Sequence, residues 1–349
     1  VSGIEEQVKQ SLRGIKLPKV DLDLLEAGML ERVDVSDGKA DVLLHFKPAY
    51  ASKTQLRQWV VEVLEKLDGI SEVEVSFTQQ QPPSTPPEQR TARRVNLPET
   101  KEILTIFSGK GGVGKSTVSV NLAAALAKLG AKVGLFDGDV HGPNIPQLLG
   151  ITDKPMMASG KIEAIERYGI KTISLGLLVE ADEALIWRGP MITKAINELL
   201  NGVGWGELDY MLIDLPPGTG DAQLGLAQDL EISGSIAITT PQEVSLADVR
   251  RGIATFKKLE VPISGMIENM SYFVCPDCGS EHDIFGRGGG AQEAERQGIP
   301  LLGTIPLDPR VRACGDEGKP AVIADPDSPA SQEFMRIAEG MLERQRQTA

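Results

Sequence analysis

Three groups of residues in this chain have types and spacings that do chemistry. The first is residues 108–117, Ser-Gly-Lys-Gly-Gly-Val-Gly-Lys-Ser-Thr. Gly109, four residues, and then Gly114-Lys115-Ser116 complete a phosphate-loop spacing. Gly109, Gly111, Gly112 and Gly114 let the backbone curl so that the N–H groups of the loop, Val113 and Thr117 included, face a phosphate, and a following helix adds the positive end of its dipole. In that geometry Lys115 neutralises the β- and γ-phosphates of ATP, and the Ser116 hydroxyl holds Mg²⁺. Lys110 is additional, because a phosphate loop needs only the lysine at its end. A long cation between the first two glycines cannot fold back onto the crowded nest. It is suited to reach a nucleotide bound by a facing subunit, as a transition-state charge donated in trans; the alternative is a solvated loop lysine.

The second group lies where apolar runs end. Asp214 closes Asp-Tyr-Met-Leu-Ile (209–213), the position from which a carboxylate supports Mg²⁺. Asp137 and Asp139 follow Val-Gly-Leu-Phe (133–136). Asp139, in a loop able to cover the γ-phosphate, is placed to orient the attacking water or contact the metal shell, or else to stabilise its own turn; Asp137, at the strand end, is suited to support the metal shell indirectly. Gly218, in Pro-Pro-Gly-Thr-Gly-Asp, is expected to offer its N–H to the γ-phosphate and so to sense hydrolysis. Asn269 has both a donor and an acceptor, which suits a purine edge as well as a strand-end turn.

The third group is Cys275-Pro276-Asp277-Cys278-Gly279. A Pro-x-Cys-Gly turn points both thiols the same way, as in metal knuckles, and two thiolates are half a tetrahedral site. His282 is close enough in sequence to add a third ligand, whereas Cys314 and His141 read as structural. Two copies of the loop meeting at a dimer axis would supply four thiolates, suited either to Zn²⁺ or to a [4Fe–4S] cluster. A redox dithiol or a disulfide fits less well, since the motif sits in a Gly-rich loop and not at the start of a helix.

The elements that must position these groups follow from the pattern. Residues 103–106 read as a buried strand and 118–129 as a helix, with Gly130 as its cap. From Ile103 onward strands alternate with helices (133–136, 209–213, 234–239, 244–259, 263–267, 291–297, 301–305), broken by a loop over 271–290, and 330–347 is a terminal helix. The alternation describes a mostly parallel sheet covered on both faces, whose strand ends gather the ligand. Residues 1–80 form a small α+β domain: a helix over 4–15, strands over 30–35 and 40–46 joined by Asp37-Gly38, a helix over 52–67 with Trp59 in its packing face, and a strand over 73–77. No catalytic constellation is found in it, and Tyr50, like Trp59, is read as a packing residue. The polar, proline-rich stretch Gln79–Thr100 is a linker (81–100 between the domains) or an arm docked on the larger domain, residues 101–349.

At 349 residues the chain has room for two domains, and 41% apolar content supports ordinary cores. A net charge of −13 speaks against a nucleic-acid surface. No apolar run approaches a membrane span and no signal-peptide core opens the sequence, so a cytoplasmic protein is expected. Three cysteines do not make a disulfide scaffold.

Lys-Gly-Gly-Val-Gly-Lys-Ser-Thr with Lys110, Phe-Asp-Gly-Asp-Val-His-Gly-Pro-Asn, Ile-Asp-Leu-Pro-Pro-Gly-Thr-Gly-Asp, Ile-Glu-Asn-Met-Ser, Cys-Pro-Asp-Cys-Gly and Ile-Phe-Gly-Arg-Gly-Gly-Gly together resemble the Mrp/ApbC iron–sulfur cluster carriers. These are MinD-like P-loop ATPases with a deviant phosphate loop, and the resemblance spans about 102–342. It implies an α/β P-loop NTPase fold, a homodimer, a cluster bridged between Cys275 and Cys278 of both subunits, and ATP hydrolysis linked to cluster transfer to apo-proteins. It implies further that Lys110 acts across the dimer, Asp139 serves the hydrolytic water and Asp214 serves Mg²⁺. The front domain is similar to a small domain found in cluster-assembly factors. It departs from that pattern at Leu17-Pro18-Lys19, where Asp-Pro-Glu is usual, and at Pro48-Ala49-Tyr50, where a cysteine often stands, which leaves it a docking role. Two other functions compete. One is a positioning ATPase of the MinD/ParA type with a structural zinc, although the terminal helix is a poor membrane anchor. The other is an ATP-driven reductase, whose cluster ligands would be single cysteines far apart and not Cys-x-x-Cys.

Overall fold

The computed structural model describes residues 2–17, 23–36, 38–45, 53–67, 69–78, 95, 97–139, 142–158, 160–177, 189–218, 221–275 and 277–348. The chain divides into two compact units, Val1–Arg90 and Thr91–Ala349.

In the first unit, α1 (Ser2–Leu12) is followed by β1 (Leu30–Ser36), β2 (Lys39–His45), α2 (Lys53–Leu64) and β3 (Glu72–Thr78). β1 and β2 are antiparallel, and β3 returns parallel to β2. The parallel return requires a crossover, and α2 supplies it. Leu56, Val60 and Leu64 of α2, at helical spacing, are fully buried against Val42, Leu44 and Val75 of the sheet. Trp59 is partly buried against this core, as a packing residue should be. Asp37, Pro48-Ala49-Tyr50 and Pro18-Lys19 lie outside the described residues.

The second unit runs β4 (Thr100–Ser108), α3 (Lys115–Lys128), β5 (Val133–Asp137), α4 (Ile145–Leu148), the hairpin β6 (Met157–Ala158) and β7 (Lys161–Ile162), β8 (Ile165–Arg167), β9 (Ile170–Ser174), α5 (Gly189–Gly202), β10 (Leu208–Asp214), α6 (Asp221–Asp229), β11 (Gly234–Thr239), α7 (Glu243–Lys258), β12 (Ile263–Val274), β13 (Glu281–His282), α8 (Gly289–Gln297), β14 (Leu301–Leu307), α9 (Pro309–Asp316), α10 (Ala321–Ala324) and α11 (Pro329–Thr348). The sheet order is β13-β12-β11-β4-β10-β5-β9-β8, with β14 also paired to β12. All pairings are parallel except β12–β13 and β8–β9 at the margins. The strands β5 and β11 are buried at every residue, the signature of a sheet covered on both faces. One face packs on α3 and α11 (Leu122, Leu126, Phe334, Ile337), the other on α5 and α7 (Ile196, Leu200, Val249, Phe256).

Two features differ from the sequence reading. Val95 and Leu97, near the end of the expected linker, belong to the larger unit: Val95 is buried and its N–H donates to the Asp229 carbonyl. Residues 79–94 and 96 of that stretch lie outside the described residues. The strand expected to stop at Ile267 runs on to Val274, because Glu268, Asn269 and Ser271, polar though they are, each find a buried partner. The supposed loop after it is a hairpin, with Phe273 opposite His282 and Val274 opposite Glu281.

Candidate nucleotide pocket and cysteine knuckle

β4 ends at Ser108 and α3 begins at Lys115, so residues 109–114 turn through the gap. The turn needs its glycines for two different reasons. Gly114 caps α3 in the left-handed region, with φ of 83°. Gly109 lies under α7: a Cβ there would sit 2.2 Å from the carbonyl carbon of Asp248. The loop lines a cavity of about 320 Å³ together with Asp139, Asn144, Gln147, Pro217 and Asp316. Lys110 is half-buried and lines the same cavity.

The chemistry concentrates on Asp214, fully buried at the end of β10. Its Oδ2 accepts from the Lys115 ammonium at 2.6 Å and from the Ser116 hydroxyl at 2.7 Å, and its Oδ1 from the Ser119 hydroxyl at 2.6 Å. A buried carboxylate demands such partners. Lys115 and Ser116 were legible from the motif. Ser119 was not, although its place one helical turn beyond Lys115 puts it on the same face of α3. Beside it, Asp137 ends the neighbouring strand β5 in register with Asp214. Burial, then the Asp214 charge, pushes its carboxyl up to about 7, against the pull of the Ser174 hydroxyl, the Asp139 N–H and Lys115. Ser174 donates to Asp137 Oδ2 at 2.9 Å, and the Asp139 N–H to Oδ1 at 3.1 Å. Asp137 thus shapes the turn that presents Asp139. Asp139 is itself buried, accepts from the Gly142 N–H at 3.2 Å and lines the phosphate cavity. His141 lies outside the described residues.

Gly218 departs from its expected role. Its N–H donates to the Ser108 carbonyl at 3.0 Å, so it reaches a γ-phosphate only by giving up that partner. Asn269 is held close to the phosphate loop: its Nδ2 donates to the Val113 carbonyl at 2.8 Å. It lines a second cavity of about 280 Å³ with Met270, Pro306, Leu307, Val311 and Arg312. Gly114, Thr117, Leu148 and Asp316 line both cavities, so a polar chamber at the loop continues into an apolar one, the order in which a nucleotide presents phosphates, sugar and base.

The cysteines sit at the tip of the β12–β13 hairpin. The Cys275 N–H donates to the Ser280 carbonyl and the Gly279 N–H to the Cys275 carbonyl, both at 2.9 Å, and Gly279 is left-handed at φ of 71°. Both thiols are free, and Cys278 is exposed. The Ser280 hydroxyl beside Cys278 lowers its thiol pKa, with Cys275 adding to the effect. His282 does not join them. It lies on β13 across from Phe273, and among the described residues no group of three His, Cys, Asp or Glu side chains is placed to hold a metal. Cys314 is on α9, far along the chain from the knuckle, its thiol pushed up by burial. No helix among the described residues is long and apolar enough to cross a membrane.

A strand, a glycine nest, a helix and a buried aspartate closing the next strand of a parallel sheet define a P-loop NTPase. A family described as the NUBPL iron-transfer P-loop NTPases matches residues 99–342, and one described as iron–sulfur cluster assembly proteins matches residues 5–77. The chain belongs to the NUBPL iron-transfer P-loop NTPase family. It is 43% identical to an iron–sulfur cluster carrier protein of Deinococcus radiodurans over 96% of this chain and 94% of that protein. It is 51% identical to one of Methanocaldococcus jannaschii over 72% of this chain and 87% of that protein. Among solved structures, a nucleotide-binding protein of Archaeoglobus fulgidus in complex with ADP has a TM-score of 0.61 and 37% identity over 71% of this chain and 98% of that one. The cell division ATPase MinD of Pyrococcus furiosus has a TM-score of 0.55 and 27% identity over 70% and 99%.

Proposed function

We propose that the chain is an ATP-binding and ATP-hydrolysing carrier that takes a [4Fe–4S] cluster as cargo between two copies of itself and passes it to apo-proteins. The observation that carries this reading is that each chain offers two free thiols on one knuckle, at the end of the strand that walls the nucleotide pocket. Two such knuckles make a four-thiolate site, and parting the copies halves the ligand set. The kinship with cluster carriers of 43% and 51% identity supports the cargo, and the ADP-bound relative supports the nucleotide.

In this reading Gly109 to Thr117 cradle the phosphates, Lys115 neutralises them, and Asn269 meets the base. Ser116 and Asp214 fit Mg²⁺, since a hydroxyl and a carboxylate oxygen 2.7 Å apart at the phosphate end of the pocket are hard oxygen donors. Bound Mg²⁺ offsets the charge gathering on the phosphates. Asp139 holds the attacking water, and Lys110 of one copy reaches the nucleotide of the other. Partners are a second copy, apo iron–sulfur proteins and cluster-assembly factors, with the first unit as a docking module.

The test is anaerobic reconstitution with iron and sulfide, measuring iron, sulfide and zinc per dimer in the wild type and in Cys278→Ala. Four iron and four sulfide per dimer, lost in the variant, are expected. A monomer with one zinc and no sulfide would sink the reading in favour of a positioning ATPase with a structural zinc.

A further inference from the structure

Glu268 is fully buried in β12, and among the described residues it forms no ion pair. Its Oε1 accepts from the Ser271 hydroxyl and its Oε2 from the Gly290 N–H. Ser271 and Gly290 are the two feet of residues 272–289, the excursion that carries both knuckle cysteines. One carboxylate therefore clasps the cysteine loop at its entry and its exit. The close fit extends to the backbone, since a Cβ at Gly290 would lie 2.8 Å from Glu268 Oε2.

The clasp depends on an irregularity. In an unbroken strand, side chains alternate, so Ser271 would face with Asn269 and away from Glu268. Met270 is left-handed, with φ of 55°, and the register against β14 shifts between Asn269 and Phe273. This bulge turns the Ser271 hydroxyl onto Glu268. Residue by residue, the segment then joins two sites. Asn269 is bonded to the phosphate loop at Val113, and its Nδ2 would be 2.3 Å from a Cβ on Gly114, so there is no slack between them. Met270 lines the base cavity, Ser271 and Glu268 hold the clasp, and Cys275 follows four residues after Ser271.

The geometry points to Glu268 as a positioning residue that transmits nucleotide binding at the phosphate loop to the cysteine loop. This rests on the nucleotide reading above. A ligand that shifts Val113 and Gly114 must shift Asn269, and the left-handed joint at Met270 hands that shift to the clasp. Glu268→Leu fills a similar volume but offers no hydrogen-bond acceptor to Ser271 or to the Gly290 N–H, so both feet are released.

The experiment is hydrogen–deuterium exchange of the full-length chain with and without MgATP, together with the alkylation rate of Cys278. In the wild type, MgATP is expected to protect residues 108–117, to change exchange across 272–289 and to change the alkylation rate by about fivefold or more, the low end of ordinary coupling between sites. In Glu268→Leu, protection at 108–117 persists while both responses at the cysteine loop vanish. If that variant does not fold, Ser271→Ala, which removes one foot alone, is expected to weaken the cysteine-loop response in the same way. Protection of 108–117 in the wild type with no response at 272–289, or an equal response in the variants, overturns the inference. No protection at 108–117 in the wild type overturns the nucleotide reading itself, and the inference with it.

Discussion

Replacing Asp137 by asparagine tests how the sheet edge handles two neighbouring buried carboxylates. Asp137 rises from an ordinary 3.8 to about 7, because burial and the Asp214 charge penalise its ionised form more than its donors favour it. A carboxyl whose folded value is raised binds more protons folded than unfolded. It therefore lowers stability as pH climbs from about 4 to about 7 and adds no further slope above that. Each unit is worth about 1.4 kcal/mol. Between pH 5 and pH 8 the wild type should thus lose about 3 kcal/mol relative to Asp137→Asn, a swing of roughly 6 to 12 °C in the difference of melting temperatures for a unit of this size. The assay is thermal melting of both full-length proteins across pH 5–8, where the other carboxylates cancel in the comparison. Asparagine keeps an oxygen for the Asp139 N–H, and the Ser174 hydroxyl can turn to accept from the new amide. Parallel melting profiles across this range would refute the reasoning. Asp137 would then titrate near its ordinary value, and its three donors, Ser174, the Asp139 N–H and the Ile145 N–H, would outweigh its burial.

Lys110→Ala should retain MgATP binding and lose about a thousandfold in hydrolysis if the residue donates charge in trans. Mixing it with an equally inactive Lys115→Ala should restore part of the turnover, and no recovery on mixing would confine Lys110 to its own pocket. Gly109→Ala drives a methyl into the backbone of Asp248 and Val249, an overpacking that should cost about 1–3 kcal/mol by urea unfolding; a neutral result would mean that α7 yields freely. Tyr210→Phe removes the buried hydroxyl that donates to the Met341 carbonyl and should destabilise by about 1 kcal/mol with MgATP affinity unchanged.

The parts of the site legible in the sequence are those built by adjacent residues. Strand, glycine turn and helix occupy residues 100–128 without interruption, and the left-handed Gly112 and Gly114 are positions where glycine is the natural residue. Asp214 was legible for a related reason, as the polar end of an apolar strand. What escaped was fixed by contacts between distant segments. Nothing around Glu268 announces that Gly290 will come to it, and the polar run Glu268–Asn269–Ser271 reads as the end of a strand because Val113 and Gly290, which Asn269 and Glu268 bind, lie elsewhere in the chain. The pairing of Asp137 with Asp214 likewise exists only once β5 and β10 lie side by side. Gly218 was read from its neighbours as a phosphate donor, whereas the fold gives its N–H to Ser108. Among the described residues His282 forms no three-ligand group with the cysteines, and it lies across the strands from Phe273.

The arrangement around Asp214 has an energetic consequence for the order of events at the pocket. Three donors converge on one fully buried carboxylate, and the strongest of them, the Lys115 ammonium, is also the group that the proposed function gives to the phosphates. A nucleotide that draws Lys115 away leaves a buried charge held only by Ser116 and Ser119, and an uncompensated buried charge costs several kcal/mol. In the proposed function, Ser116 and Asp214 would hold a divalent cation, whose charge would offset that cost from the other side. The proposed function therefore predicts that phosphate and metal bind better as a pair than either alone, a coupling set by one ion pair and not by any contact between the two ligands. Asp137 enters the same balance, since its own charge opposes that of Asp214 and is relieved by whatever cation stands at the pocket.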